Sequence, residues 1–341
     1  MLVIFGAALL LAVVGTPVMR RIAFRIGIVD HTAERKLHTR SMPLLGGVAL
    51  YAAVLGSLLL YPGQRALVQL AGIFIGATWI SFCGLWDDGR GMRPAVKLVA
   101  QVIATLILLT SGVQVALPLP GWVNVVLTLL WVIGITNAIN LLDNMDGLAS
   151  GVAAVAAGAL LLLAAMNGQV LVGALAAALL GACLGFLLHN FNPARIFMGD
   201  TGSLFLGFLL AAVGIKLRFP DNVNWVTWMV PILVLGVPVF DTTLVVVSRL
   251  RRGRNPLTTP GRDHVSHRLV QLGWTRKEAV LLLYLAGAAL GGVGVFVSQA
   301  SAWGGYGAAL AVAAVALAAL IWLERRVPLA ENGLPIPEAS D

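Results

Sequence analysis

An all-α integral membrane protein with about eleven transmembrane helices is the fold class that this sequence predicts. Of its 341 residues 59% are hydrophobic and only 11% are charged, against about 25% charged in an ordinary soluble domain. Its uncharged runs approach or reach the roughly 20 residues that a helix needs to cross a bilayer. Those observations exclude a soluble globular enzyme, a disordered chain and a coiled coil. The runs do not alternate apolar and polar residues, which excludes a β-barrel. Cys83 and Cys183 both lie inside apolar runs, so neither a disulfide framework nor a zinc site is expected.

The first run, 2–19, has no basic residue ahead of it and is followed by Arg20, Arg21 and Arg25. It reads as a span and not as a cleaved signal. Spans 44–61 and 66–86 follow, the earlier one opened by Gly46-Gly47. Pro94 suits the first turn of span 95–116. Spans 122–142, 148–166 and 170–188 come next, and the Ala, Leu and Gly content of 152–184 predicts close helix packing. Span 203–217 begins just after Gly199 and Gly202. Span 226–248 contains Pro231 and Pro238, which predict a kink. Asp263 is the expected N-cap of a short amphipathic helix that Gly273 ends. Thr275-Arg276-Lys277-Glu278 reads as a capping box for span 278–298, and 303–323 is the last span. Residues 1–326 read as a single polytopic domain, with active-site loops at 20–43, 87–97, 143–147, 189–202 and 249–277, and 327–341 as a short tail.

Numbering the connections alternately puts all but Arg65, Lys216 and Arg218 of the 23 Lys and Arg on one side. That side is predicted to be cytoplasmic, with the N-terminus outside and the C-terminus inside. Of the 15 acids only Asp221 falls on the other side, and all five histidines fall inside. Positive-inside sorting does not demand either result. A one-sided collection of Asp, His, Asn and Arg at helix ends reads as a membrane-surface active site.

Each inner loop has a bland reading beside a chemical one. The first, with Arg40 near its end, reads as a polybasic lipid-headgroup contact. In the second, one of Asp87 and Asp88 could cap a turn, but two adjacent carboxylates at a span end call for water, cations or metal. In the third, Asp146 could cap span 148–166, which leaves Asn137, Asn140 and Asp143 for a nucleobase, sugar hydroxyls or a hydrated metal. In the fourth, which holds Asn190 and Arg195, Asp200 could cap a helix, yet its flanking glycines also permit close approach to a ligand. Asp241 is an acid inside an apolar span, a functional hypothesis by default. In the last loop His264, His267 and Arg268 fall at i, i+3 and i+4 and suit phosphate oxygens; the rival is an amphipathic helix lying on lipid. Acids at a surface already attractive to anions make sense if they hold a divalent cation. Mg²⁺ takes one or two carboxylates and completes its shell with water and substrate phosphates. Together these parts are the equipment of phosphoryl transfer.

The stretches RKLHTRSMPLLGG, GLWDDGRGMRPAVKL, NAINLLDNMDGLASG, NFNPARIFMGDTGSLFLGF, VPVFDTTL and GRNPLTTPGRDHVSHRL occur in that order over 35–270. In them the chain resembles the polyprenyl-phosphate N-acetylhexosamine-1-phosphate transferases, and within these the undecaprenyl-phosphate GlcNAc-1-phosphate transferase branch. The resemblance implies a multi-pass enzyme of the bacterial plasma membrane with its active site facing the cytoplasm. It would transfer a sugar 1-phosphate from a UDP-sugar to undecaprenyl phosphate and release UMP, with Mg²⁺ or Mn²⁺ as cofactor, to start a cell-envelope polysaccharide. By motif position Asp87 and Asp88 match the catalytic pair, Asp200 (with Asp88) the metal site, and Asn140, Asp143 and Asp146 the nucleotide segment. Arg40 matches a basic residue near the substrate, and His264 and His267 match two histidines of a His-x-His-His motif whose middle histidine is replaced here by Ser266. Asn137, Asn190, Arg195, Arg262 and Arg268 complete the candidate substrate contacts. No nucleic-acid partner is expected, and a homodimer stays open. The rival readings are the muramyl-pentapeptide branch, whose three consecutive histidines are absent, an ion-coupled transporter, an intramembrane aspartyl protease and a lipid-binding scaffold.

Overall fold

The computed structural model describes residues 1–30, 41–61, 67–256, 259 and 261–327. Arg40 and nearly all of the 327–341 tail lie outside the described residues. The chain divides into two compact units, 1–220 and 221–341.

The first unit contains α1 (Leu2–Ile26), the two-residue strands β1 (Val29–Asp30) and β2 (Met42–Pro43), α2 (Gly46–Leu58), α3 (Leu67–Arg90), α4 (Pro94–Thr110), α5 (Gly121–Leu142), α6 (Leu148–Met166), α7 (Val170–Asn190) and α8 (Gly199–Lys216). Helix α8 is its axis and packs against α2, α3, α5, α6 and α7. No charge interrupts α8 between Asp200 and Lys216, and every residue from Thr201 to Ile215 is buried; a helix that is apolar all round belongs in a core. Gly47 and Gly202 let α2 and α8 touch backbone to backbone. A Cβ on Gly47 would lie 2.2 Å from the Gly202 nitrogen. The expectation of close packing over 152–184 is met by α6 against α7, with Ala153, Ala157, Ala174 and Ala177 fully buried.

The second unit contains α9 (Asn224–Thr227), α10 (Met229–Val234), α11 (Gly236–Arg251), α12 (Val265–Gln271), α13 (Arg276–Gln299) and α14 (Ala302–Arg326). Helix α13 packs against α9, α10, α11, α12 and α14. Its N-terminus carries the expected capping box, with the Thr275 and Glu278 side chains each bonded to the other's backbone. Gly273, at φ 97°, turns the chain out of α12.

Each predicted span contains a helix, although 111–116 of the span 95–116 lies beyond the end of α4, but only eight helices among the described residues are long and apolar enough to cross a membrane. Three segments explain the difference from eleven. Helix α2 has 13 residues, a length of about 20 Å against a hydrocarbon core of about 30 Å. Helix α4 has 17. The segment 226–248 is broken, with residues 224–234 and 236–251 bent by 76° near the expected prolines.

Candidate active site

In the first unit four helix ends meet. The last turn of α3 brings Asp87 and Asp88, the first turn of α4 brings Lys97, the last turns of α5 bring Asn137 and Asn140, and α8 begins at Gly199-Asp200. Asp88 is committed to α8. Its Oδ1 accepts the Asp200 N–H at 2.8 Å. Its Oδ2 accepts the Thr201 N–H at 3.0 Å and the Thr201 hydroxyl at 2.6 Å. A carboxylate at a helix N-terminus meets unpaired donors and the positive end of the dipole. Gly199 makes this approach feasible: its φ is 63° and a Cβ there would sit 2.5 Å from Asp88 Oδ2. The glycines flanking Asp200 were expected to admit a ligand; the closest neighbour of Gly199 is this carboxylate.

Asp87 faces the other way. The Lys97 ammonium makes ion pairs with both Asp87 and Asp200, so two acids from different helices converge on one cation. Asn140 donates to Asp200 Oδ1 at 2.9 Å and to the Ser203 hydroxyl at 2.8 Å. Asn137 does not join it. Its amide pairs reciprocally with Gln101 of α4, at 2.7 and 3.1 Å. Lys97 and Gln101 were missed as site residues. The signal available was their i, i+4 spacing, which puts them on one face of α4.

The 143–147 turn is tied to the 190–196 loop. Asn190, buried, accepts from the Gly147 N–H and the Ser150 hydroxyl and donates to the Ile196 carbonyl at 3.0 Å. Asp146 accepts the Ala194 N–H at 2.9 Å and the Asn192 amide at 3.3 Å, and it does not cap α6. The carboxylate of Asp143 has no hydrogen-bond partner among the described residues. Burial, and then the nearby charges of Asp200, Asp88 and Asp146, push its carboxyl up to about 8. The Arg195 side chain is exposed, while its carbonyl accepts from Arg20 Nε at 3.0 Å.

Among the described residues no three His, Cys, Asp or Glu side chains form a metal-binding group. The donor set still suits a hard divalent cation that uses few protein ligands. Asp87 and Asp200 are oxygen donors already aimed at one positive charge, and Asp143 is an uncommitted third.

The second unit holds the histidines. Asp241, fully buried in α11, accepts the Val265 N–H at 2.7 Å and lies 2.8 Å from His264 Nδ1. Asp263 is not the N-cap of α12; His264 holds that position. The buried Asp263 carboxylate is drawn instead to Arg249 Nε at 2.8 Å and to Arg252 at 2.9 Å, and Asp241 supplies the capping acceptor. Arg268 does not share an open face with the histidines. It is fully buried, with its guanidinium on the Ser248 hydroxyl, Glu324 and the Asp263 carbonyl. Ser266 is buried too, while Arg262 is exposed. The His264 and His267 rings lie edge to face with centroids 6.1 Å apart. Burial above all, with nearby positive charge such as Arg262, pushes His267 down to about 4, so its ring is neutral at pH 7.

Burial alone would raise the Asp263 carboxyl, but Arg249 and Arg252 outweigh it and hold the group below the ordinary carboxylate range. A depressed folded-state pKa contributes stability that is present above the unfolded value of about 3.9 and lost as pH falls through the folded one. Asp263→Asn is expected to lower the unfolding temperature of the detergent-solubilised protein at neutral pH. The gap from the native protein should close as the pH drops below about 4. A gap that persists in acid would assign the loss to packing.

The sequence profile of glycosyl transferase family 4 matches residues 70–218, a stretch that holds the whole acidic cluster. The chain is 35% identical over 310 residues to a probable undecaprenyl-phosphate N-acetylglucosaminyl 1-phosphate transferase of Bacillus subtilis, covering 88% of this chain and 86% of that protein. It is 34% identical to a decaprenyl-phosphate N-acetylglucosaminephosphotransferase of Mycolicibacterium smegmatis, over 78% of this chain and 74% of that one. A phospho-N-acetylmuramoyl-pentapeptide-transferase of Bacillus cytotoxicus is 28% identical, over 87% of this chain and 97% of its own.

Proposed function

Because the chain belongs to glycosyl transferase family 4, among the polyprenyl-phosphate N-acetylglucosaminyl 1-phosphate transferases, we propose that it transfers GlcNAc 1-phosphate from UDP-GlcNAc to undecaprenyl phosphate. An oxygen of the lipid phosphate bonds to the sugar-bearing phosphorus, the bridging bond breaks, and UMP leaves. The observation that carries this reading is the convergence of Asp87 and Asp200 on the Lys97 cation, with Asn140 bonded to Asp200. Phosphoryl transfer needs charge neutralisation and positioning more than covalent chemistry from the protein. Asp87 and Asp200 would hold Mg²⁺, which would supply a positive charge for the pyrophosphate. Asp88 anchors the backbone that carries Asp200, and Asn140 orients the Asp200 carboxylate. Lys97 is a second positive charge at the same place. Asp143, whose carboxyl has no hydrogen-bond partner among the described residues, is the candidate contact to the nucleoside or sugar.

The test is lipid-linked product from purified protein, undecaprenyl phosphate and a panel of radiolabelled UDP-sugars. UDP-GlcNAc is expected to give the fastest product and stoichiometric UMP. Preference for UDP-muramyl-pentapeptide would move the chain to the other branch, and no product from any UDP-sugar would overturn the transferase reading. We place the site on the cytoplasmic face of the bacterial plasma membrane, supported by the one-sided basic residues. Cysteine labels at Gly89 and Asn192 are expected to react only from the cytoplasm and a label at Pro120 only from outside. Reaction of Gly89 and Pro120 from one side would refute that orientation.

A further inference from the structure

Gln101 lies just beyond the motif that ends at Leu98, and the reaction as proposed gives it no task. Yet it is a polar side chain only 2% exposed in the apolar helix α4. Its amide forms a closed pair with Asn137 of α5. Asn137 Nδ2 donates to Gln101 Oε1 at 2.7 Å, and Gln101 Nε2 donates to Asn137 Oδ1 at 3.1 Å. Asn137 Nδ2 also donates to the Ile133 carbonyl at 2.8 Å. A carbonyl can only accept, so that third bond fixes which way round Asn137 faces, and with it Gln101. Among the described residues these two are the only hydrogen bonds between α4 and α5.

The pair sits one turn away from the acidic cluster on both helices. Lys97 precedes Gln101 by four residues on α4, and Asn140 follows Asn137 by three on α5, so each shares a face with its neighbour. The two converge on Asp200 and divide its carboxylate, with Lys97 at Oδ2 and Asn140 at Oδ1. Apolar packing does little to hold that alignment, because beside Gln101 the buried face of α4 offers the small side chains Ala100 and Ala104. A slip of one residue would carry a side chain about 1.5 Å along the helix and about 100° around it. We infer that Gln101 is a positioning residue: paired with Asn137, it fixes the register of α4 against α5 and so sets Lys97 and Asn140 on opposite oxygens of Asp200. This rests on the transferase reading for its effect on turnover. The bland rival is an amide pair that only holds two helices together in lipid.

Exchanging the pair separates the two. Gln101→Asn leaves the bridge one methylene short, Asn137→Gln makes it one too long, and the double exchange restores its length. Gln101→Leu removes the bridge. In every variant Trp79 still has the Ala100 carbonyl to donate to, at 2.9 Å, which ties α4 to α3. The experiment measures turnover of UDP-GlcNAc, Mn²⁺ affinity by electron paramagnetic resonance and unfolding temperature for the full chain in nanodiscs. Gln101→Leu and both single exchanges should lose about ten- to a hundredfold in turnover, the effect of a misplacement of about 1 Å, and should bind Mn²⁺ more weakly. Their unfolding temperatures should stay close to native, because polar pairs between membrane helices add little stability. The double exchange should bring turnover and Mn²⁺ affinity back together. Native turnover and Mn²⁺ affinity in Gln101→Leu or Gln101→Asn would overturn the proposal and leave the pair as glue. A double exchange that unfolds at the native temperature yet stays inactive would overturn it too, and would assign Asn137 to the substrate. If Gln101→Leu does not fold, the exchange cycle decides alone. A native protein that forms no lipid-linked sugar refutes the transferase reading instead, and leaves the Mn²⁺ affinities of the same variants as the test of the clamp.

Discussion

Asp200→Asn is expected to cut turnover by about a thousandfold or more, the scale of several kcal/mol of transition-state charge stabilisation, while the protein remains folded. Asn is nearly isosteric and keeps an oxygen toward Asn140, and the backbone N–H that Asp88 accepts is unaltered. The negative charge is what disappears, leaving Lys97 with Asp87 alone. Mn²⁺ titration followed by electron paramagnetic resonance is the direct readout, and the variant should bind the ion much more weakly than the native protein. Unchanged Mn²⁺ affinity with unchanged turnover would show that Asp200 only closes the first turn of α8.

Asp88→Ala is expected to fail differently. It removes three hydrogen bonds from the start of α8, at a cost of about 2–4 kcal/mol in stability given that one charged group accepts all three. The turn that carries Asp200 loses its anchor, so turnover should fall together with the unfolding temperature. Thermal unfolding in detergent measured beside turnover distinguishes the two variants: Asp200→Asn loses activity at nearly constant stability, and Asp88→Ala loses both. Full stability in Asp88→Ala with lost turnover would return Asp88 to a direct role in metal or substrate binding.

The contrast between these adjacent acids shows where sequence reasoning reached its limit. Asp87 and Asp88 carry the same chemistry at a span end, and the sequence reads both as a catalytic pair, with Asp88 also at the metal site. In the fold one faces Lys97 and the other holds α8. The same holds for Asn137 and Asn140, three residues apart on α5 yet bonded to Gln101 and to Asp200. Asn190, Asp146 and Arg268 were legible as candidate substrate contacts, and Asp263 as a helix cap. They turn out to spend their hydrogen bonds on loops and helix ends.

By itself the sequence determined the helical membrane class, the positions of the apolar segments, the Thr275–Glu278 capping box, the bend near Pro231 and Pro238, and the motif residues that point to the family. These follow from hydrophobic periodicity and backbone chemistry, which are local and survive in a string of letters. Only the tertiary structure decided that α2 is too short to span alone, that Lys97 bridges Asp87 and Asp200, that the Asp143 carboxyl has no hydrogen-bond partner among the described residues and that Asp241 grips His264. The last three depend on which helix ends meet. A buried charge takes whatever opposite charge or donor the packing brings to it, and that partner lies 10 to 112 residues away in the contacts seen here, beyond the reach of any local pattern.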